Sequence, residues 1–66
     1  MRVTVNGDQH EIPDAVTLPG LLEQLGLRVG SVVVELNGTA LLRSEVLQAP
    51  LRDGDNLELV RAVAGG

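Results

Sequence analysis

The sequence predicts one small α+β domain: a mixed sheet of four to five strands with one main helix packed across one face. Three observations carry this expectation. Two alternating apolar runs, Arg2-Val3-Thr4-Val5 and Val32-Val33-Val34-Glu35-Leu36, each end in Asn-Gly, a strong signal for a tight hairpin turn. Between them Leu18, Leu21, Leu22 and Leu25 fall at i, i+3, i+4 and i+7, one stripe of a helix. A last alternating run, Leu57-Glu58-Leu59-Val60, precedes the ending Ala62-Val63-Ala64-Gly65-Gly66.

Taken in order, Val3 and Val5 share one face of the first strand, with Arg2 and Thr4 on the other. Asn6-Gly7 turns the chain, residues 9–12 return it, and Pro13-Asp14 closes the hairpin. Thr17 is placed to cap a helix whose first turn tolerates Pro19, since an N–H there has no intrahelical acceptor. Gly26 stands where a left-handed residue ends a helix. A helix of about two and a half turns cannot stand alone, so its leucines must be buried against a sheet.

Residues 31–36 form the next strand, with Val32, Val34 and Leu36 opposed to Val33 and Glu35. Asn37-Gly38 ends it and residues 39–42 form a short strand. Residues 43–51 are ambiguous: Val46, Leu47 and Leu51 offer apolar anchors, while Pro50 opposes a long helix. Asp53-Gly54-Asp55 is a turn into the final strand. Residues 1–63 read as the single domain and residues 64–66 as a flexible diglycine tail.

Composition narrows the function. A chain of 66 residues is near the lower limit for folding without staples, and it has no cysteine, so neither disulfides nor a thiolate metal site can help. Aromatics are absent, and a small aliphatic core leaves little room for an enclosed cofactor cavity. Five Arg against nine Asp and Glu give a net charge of −4, which disfavours nucleic acid and anionic membranes and suits a partner with a basic surface. No lysine is present, so no side-chain amine is available for self-conjugation. No apolar run approaches the roughly 18 residues of a membrane span, and no basic and apolar leader precedes the first strand, so a cytoplasmic monomer is expected.

Catalysis by this chain is not expected. One histidine, His10, sits in the first hairpin, and without cysteine or lysine there is no nucleophile and base pair. Asp53 and Asp55 fall short of the roughly six oxygens that a hard cation wants, and turn chemistry accounts for them. The chemistry points instead to the terminus. A carboxylate with a pKa of about 3.5 is a poor acyl donor until its oxygen becomes a good leaving group, which adenylation by ATP supplies. To reach a buried α-phosphate the last residues must thread a slot that a Cβ would obstruct, and Gly65-Gly66 meets that need.

The solvent face of the sheet, on this parity, holds Thr4, Val33, Glu35, Glu58, Val60 and Ala62. Val33, Val60 and Ala62 read as a docking patch beside the tail, the alternative being scattered surface valines. Arg61 falls on the inward parity near the sheet's end, where its stem packs and its head reaches water. It is a candidate to meet an acidic groove of the activating enzyme.

These motifs together resemble the ubiquitin-like β-grasp sulfur carriers of thiamine biosynthesis, the ThiS family. The resemblance rests on Val3-Thr4-Val5-Asn6-Gly7, Thr17-Leu18 with Leu21-Leu22-Glu23-Gln24-Leu25, Val32-Val33-Val34-Glu35-Leu36-Asn37-Gly38, Arg43, Asp53-Gly54-Asp55 and Val63-Ala64-Gly65-Gly66. These stretches span essentially the whole chain, and their order and spacing carry the specificity. Leu42 and Val46 depart from it, standing where family members often have a proline and an aromatic.

The resemblance implies a β-grasp fold and a carrier cycle. Gly66 would be adenylated by an E1-like, ThiF-like, zinc-containing adenylyltransferase using Mg-ATP, and would then take sulfur from a persulfide supplied by a cysteine desulfurase. The Gly66 thiocarboxylate would give that sulfur to a ThiG-like thiazole synthase, which builds the thiazole phosphate of thiamine from a deoxyxylulose phosphate and a glycine-derived imine. The chain itself would be a cosubstrate without bound cofactor or metal, touching its partners through Val33, Val60, Ala62, Val63, Ala64 and Gly65. Molybdopterin-synthase small subunits resemble it too, sharing the β-grasp order and Ala64-Gly65-Gly66, and are one alternative; a passive interaction module is the other. The absence of cysteine agrees with the carrier reading, because sulfur could then be held only at the terminus.

Overall fold

Both Asn-Gly dipeptides turn the chain as their residue types dictate. Asn6 and Asn37 take φ of 49° and 51°, and Gly7 and Gly38 follow at 87° each, the paired positive angles of a two-residue hairpin turn. The computed structural model describes residues 1–61. Within them the first turn joins β1 (Arg2–Val5) to β2 (Asp8–Glu11) with Val5 opposite Asp8, and the second joins β3 (Val32–Leu36) to β4 (Thr39–Ala40) with Leu36 opposite Thr39.

Between the hairpins lies α1 (Leu18–Gln24). Thr17 caps it in extended geometry, its Oγ1 accepting from the Gly20 N–H at 3.2 Å. At the far end Gly26 takes φ of 76°, and the Leu27 N–H returns to the Leu22 carbonyl at 2.8 Å, satisfying a carbonyl the helix would leave open. The expected stripe is buried at Leu18, Leu21 and Leu22; Leu25 is the half-buried cap residue just outside the helix.

The last strand, β5 (Asn56–Arg61), enters the middle of the sheet, giving the order β2-β1-β5-β3-β4. It runs parallel to β1, with Thr4 opposite Asn56, and antiparallel to β3, with Val34 opposite Leu59. The sheet is thus five-stranded and mixed. Its inward residues Val3, Val5, Val34, Leu57 and Leu59 close one core with the α1 leucines, Ile12 and Val46.

The ambiguous stretch forms a second helix, α2 (Arg43–Gln48), beside the main one. Glu45 supports its start, Oε1 accepting from the Leu42 N–H at 2.7 Å, and Val46 is its buried anchor. Leu47 is not the anchor its apolar character suggested; it is 57% exposed. Ala49 leaves the helix at ψ of 127° because Pro50 excludes the helical conformation for the residue before it. The fourth strand is shorter than expected, and His10 is half-buried opposite Val3 on the edge strand.

Candidate functional site

Residues 52–55 prepare the start of β5. Asp55 is buried, with Oδ1 accepting from Asn37 Nδ2 at 3.0 Å and Oδ2 from the Arg52 N–H at 2.7 Å. Asp53 Oδ1 accepts from the Arg2 N–H at 2.7 Å. Both aspartates therefore do the turn chemistry their spacing suggested, fixing where β5 begins.

From there β5 carries its residues along the sheet to Arg61, opposite Val32. On the solvent face Val60 lies directly opposite Val33, and Glu58 directly opposite Glu35. Val33 and Val60 are 47% and 56% exposed, an apolar pair one step from the end of the β3–β5 ladder, next to two like charges on the same face. Of the other residues expected on this face, Glu58 is exposed while Thr4 and Glu35 are half-buried. Two of the expected partner contacts, Val33 and Val60, thus come together by register. Ala62, Val63, Ala64, Gly65 and Gly66, and with them the boundary expected after residue 63, lie outside the described residues.

Two clefts flank the turn at residues 28–31, at the same end of the sheet. One, of about 310 Å³, is lined by Gly26, Leu27, Arg28, Ser31 and Arg61. The other, of about 220 Å³, is mostly apolar and includes Val29, Val32, Leu41 and Val46 with Arg43. Arg61 is exposed there, as its place at the strand end implied. Sequence spacing gave no hint that Arg28 would share its cleft, because only the strand order brings them together.

A parallel pair of first and last strands at the centre, hairpins on either side and a helix across one face define a ubiquitin-like β-grasp domain, here with an exposed valine pair across β3 and β5, the strand that leads to Gly65-Gly66. The ThiS family matches residues 3–66. The chain belongs to the ThiS family. It is 41% identical to the sulfur carrier protein ThiS of Thermus thermophilus over 64 residues, 97% of this chain and 98% of that one. It is also 33% identical over its full length to a thiazole synthase of Paramagnetospirillum magneticum, of which it spans 20%. A thiazole synthase of Magnetococcus marinus matches likewise, at 33% identity and 20% of its length. The crystal structure of the thiamine biosynthesis protein ThiS from Geobacter metallireducens superposes with a TM-score of 0.79 at 33% identity, covering all of both chains.

Proposed function

We propose that this chain is the sulfur carrier of thiamine biosynthesis, cycling between a carboxylate and a thiocarboxylate at Gly66. The observation that carries the reading is that the ThiS match runs through Ala64-Gly65-Gly66 in a chain without cysteine. In the first step a carboxylate oxygen of Gly66 attacks the α-phosphorus of ATP, pyrophosphate leaves, and Mg held by an E1-like adenylyltransferase offsets the charge. Sulfur from a desulfurase-borne persulfide then displaces AMP at the acyl carbon, and a thiol cleaves the remaining S–S bond to free the thiocarboxylate. The chain supplies the acyl group and the docking face, while the chemistry belongs to its partners; it acts as a cosubstrate, not as an enzyme.

Thiazole synthase is the proposed acceptor. Relatives named for that activity contain a segment that aligns with the whole of this chain, which favours thiazole formation over molybdopterin as the destination of the sulfur. Dependence on ATP puts the cycle in the cytoplasm, and among the described residues no helix is long and apolar enough to cross a membrane.

Deleting Gly66 tests the reading against a passive module. The carrier reading expects the truncated chain to keep its fold and lose all sulfur loading, with the loaded full-length chain then driving product formation by thiazole synthase. Sulfur loading that survives the deletion would overturn it.

A further inference from the structure

We propose that the end of the sheet from which Arg61 leads toward Gly66 is a cationic docking site, formed by Arg28, Arg61 and Arg43, for a carboxylate-bearing segment of the activating enzyme. The proposal rests on the carrier reading above and names the chemistry that would seat the carrier at the mouth of that enzyme's slot.

The three arginines are far apart in sequence and meet around one turn. Arg28 and Arg61 line the cleft of about 310 Å³ with Ser31. Ser31 Oγ donates to the Arg28 carbonyl at 2.8 Å and accepts from the Arg28 N–H at 3.2 Å, so the wall that carries Arg28 is fixed by its own hydrogen bonds. Arg43 lies over the same turn from the other side, its Cζ 3.6 Å from where a Cβ on Gly30 would sit.

Glu11, Asp14, Asp53 and Asp55 gather at the opposite end, where Asp14 meets the Met1 ammonium, Glu11 meets Arg2, Asp53 accepts from the Arg2 N–H and the Asp55 carbonyl accepts from the Thr4 N–H. Among the described residues the ion pairs involve Met1 and Arg2, and none involves Arg28, Arg43 or Arg61. Among the described residues Arg28, Arg43 and Arg61 are thus exposed and without an ion-pair partner, around the end of the sheet where β5 finishes. Guanidinium forks match carboxylates and phosphates in planar, bidentate geometry.

Distance favours carboxylates of the enzyme over phosphates of the nucleotide. Gly66 is the fifth residue after Arg61, and five residues held extended in a slot reach up to about 17 Å. An α-phosphate in bonding range of Gly66 would then lie far from the cleft, which faces the mouth of the slot.

The test is steady-state adenylation by a thiamine-pathway adenylyltransferase, with KM measured separately for the chain and for ATP. Thermal unfolding of every variant is followed alongside. Arg28→Ala and Arg61→Ala should each raise KM for the chain about fivefold, and the double variant roughly 20-fold, with kcat and KM for ATP unchanged. Arg52→Ala, at the opposite end, should leave all three values unchanged. Added KCl should raise the wild-type KM and affect the double variant less. A double variant within twofold of wild type, an equal effect of Arg52→Ala, or a rise in KM for ATP alone would each overturn the proposal. If the wild-type chain is not adenylated at all, the carrier reading fails and this proposal falls with it.

Discussion

Asn6 pairs with Leu59 through both ends of its carboxamide: Oδ1 accepts from the Leu59 N–H at 2.8 Å and Nδ2 donates to the Leu59 carbonyl at 3.2 Å. The main chain of Asn6 has already donated to the Leu57 carbonyl at 2.9 Å, so the side chain supplies the next rung after the backbone turns away at φ of 49°. Asn37 does the matching work at the start of β5, accepting from the Asn56 N–H at 2.9 Å and donating to Asp55. Two turn residues therefore hold the strand that bears the site from both sides. Asn6→Ala should lower stability by about 2 kcal/mol, since both Leu59 groups lose their partner. Asn6→Asp, which keeps an acceptor and tolerates the positive φ, should cost less. Urea unfolding checks this, and an Asn6→Ala change below about 0.5 kcal/mol would show that the rung adds nothing.

The core assignment separates two leucines that look alike in sequence. Leu22 is fully buried under the sheet and Leu47 is 57% exposed. Leu22→Ala should cost about 3 kcal/mol through lost burial and a cavity, a large part of what a domain this small can hold. Leu47→Ala should stay within about 0.5 kcal/mol of wild type. Comparable losses for the two would mean that α2 packs through the wrong face in this account.

Asp14 gives stability a pH dependence at the alkaline end. Its carboxylate accepts a hydrogen bond from the Met1 ammonium at 2.9 Å, and this contact, opposed by partial desolvation and aided by the charges of Asp14, Glu11 and Asp53, raises the ammonium pKa above the usual 8.0. A raised folded-state value means that the contribution is fully present below 8.0 and is lost as pH rises through the folded value. The thermal midpoint should therefore fall with rising pH above that point, and less steeply in Asp14→Asn. Parallel pH profiles for the two proteins would contradict the assignment.

Val33 and Val60 are exposed, opposed by register and outside the core, and the proposed carrier role makes them docking contacts. The double variant Val33→Asp/Val60→Asp should unfold at nearly the wild-type temperature while its sulfur loading at limiting enzyme slows about tenfold or more. Loading at the wild-type rate would remove the valine pair from the interface.

Local features were legible in the sequence and non-local ones were not. The Asn-Gly turns, the Thr17 cap, the Gly26 stop and the leucine stripe are encoded within a few residues of one another, and each formed as its chemistry requires. The placement of β5 between β1 and β3 depends on pairing Thr4 with Asn56, which no short window contains. For the same reason the carboxamide rung of Asn6 and the meeting of Arg28 with Arg61 stayed hidden. The second helix escaped because Arg43–Gln48 is too short to show a helical period and Pro50 follows it closely. The role expected of Gly66 rests on the sequence alone, since Gly66 lies outside the described residues, although the ThiS match extends through it.

The central claim is tested most directly by intact mass spectrometry of the chain after incubation with a thiamine-pathway adenylyltransferase, Mg-ATP, cysteine and a cysteine desulfurase. The account predicts the mass increase of one oxygen replaced by sulfur, mapped to the C-terminal peptide and absent without ATP. An unchanged mass, in a mixture that converts an established ThiS carrier, would contradict it.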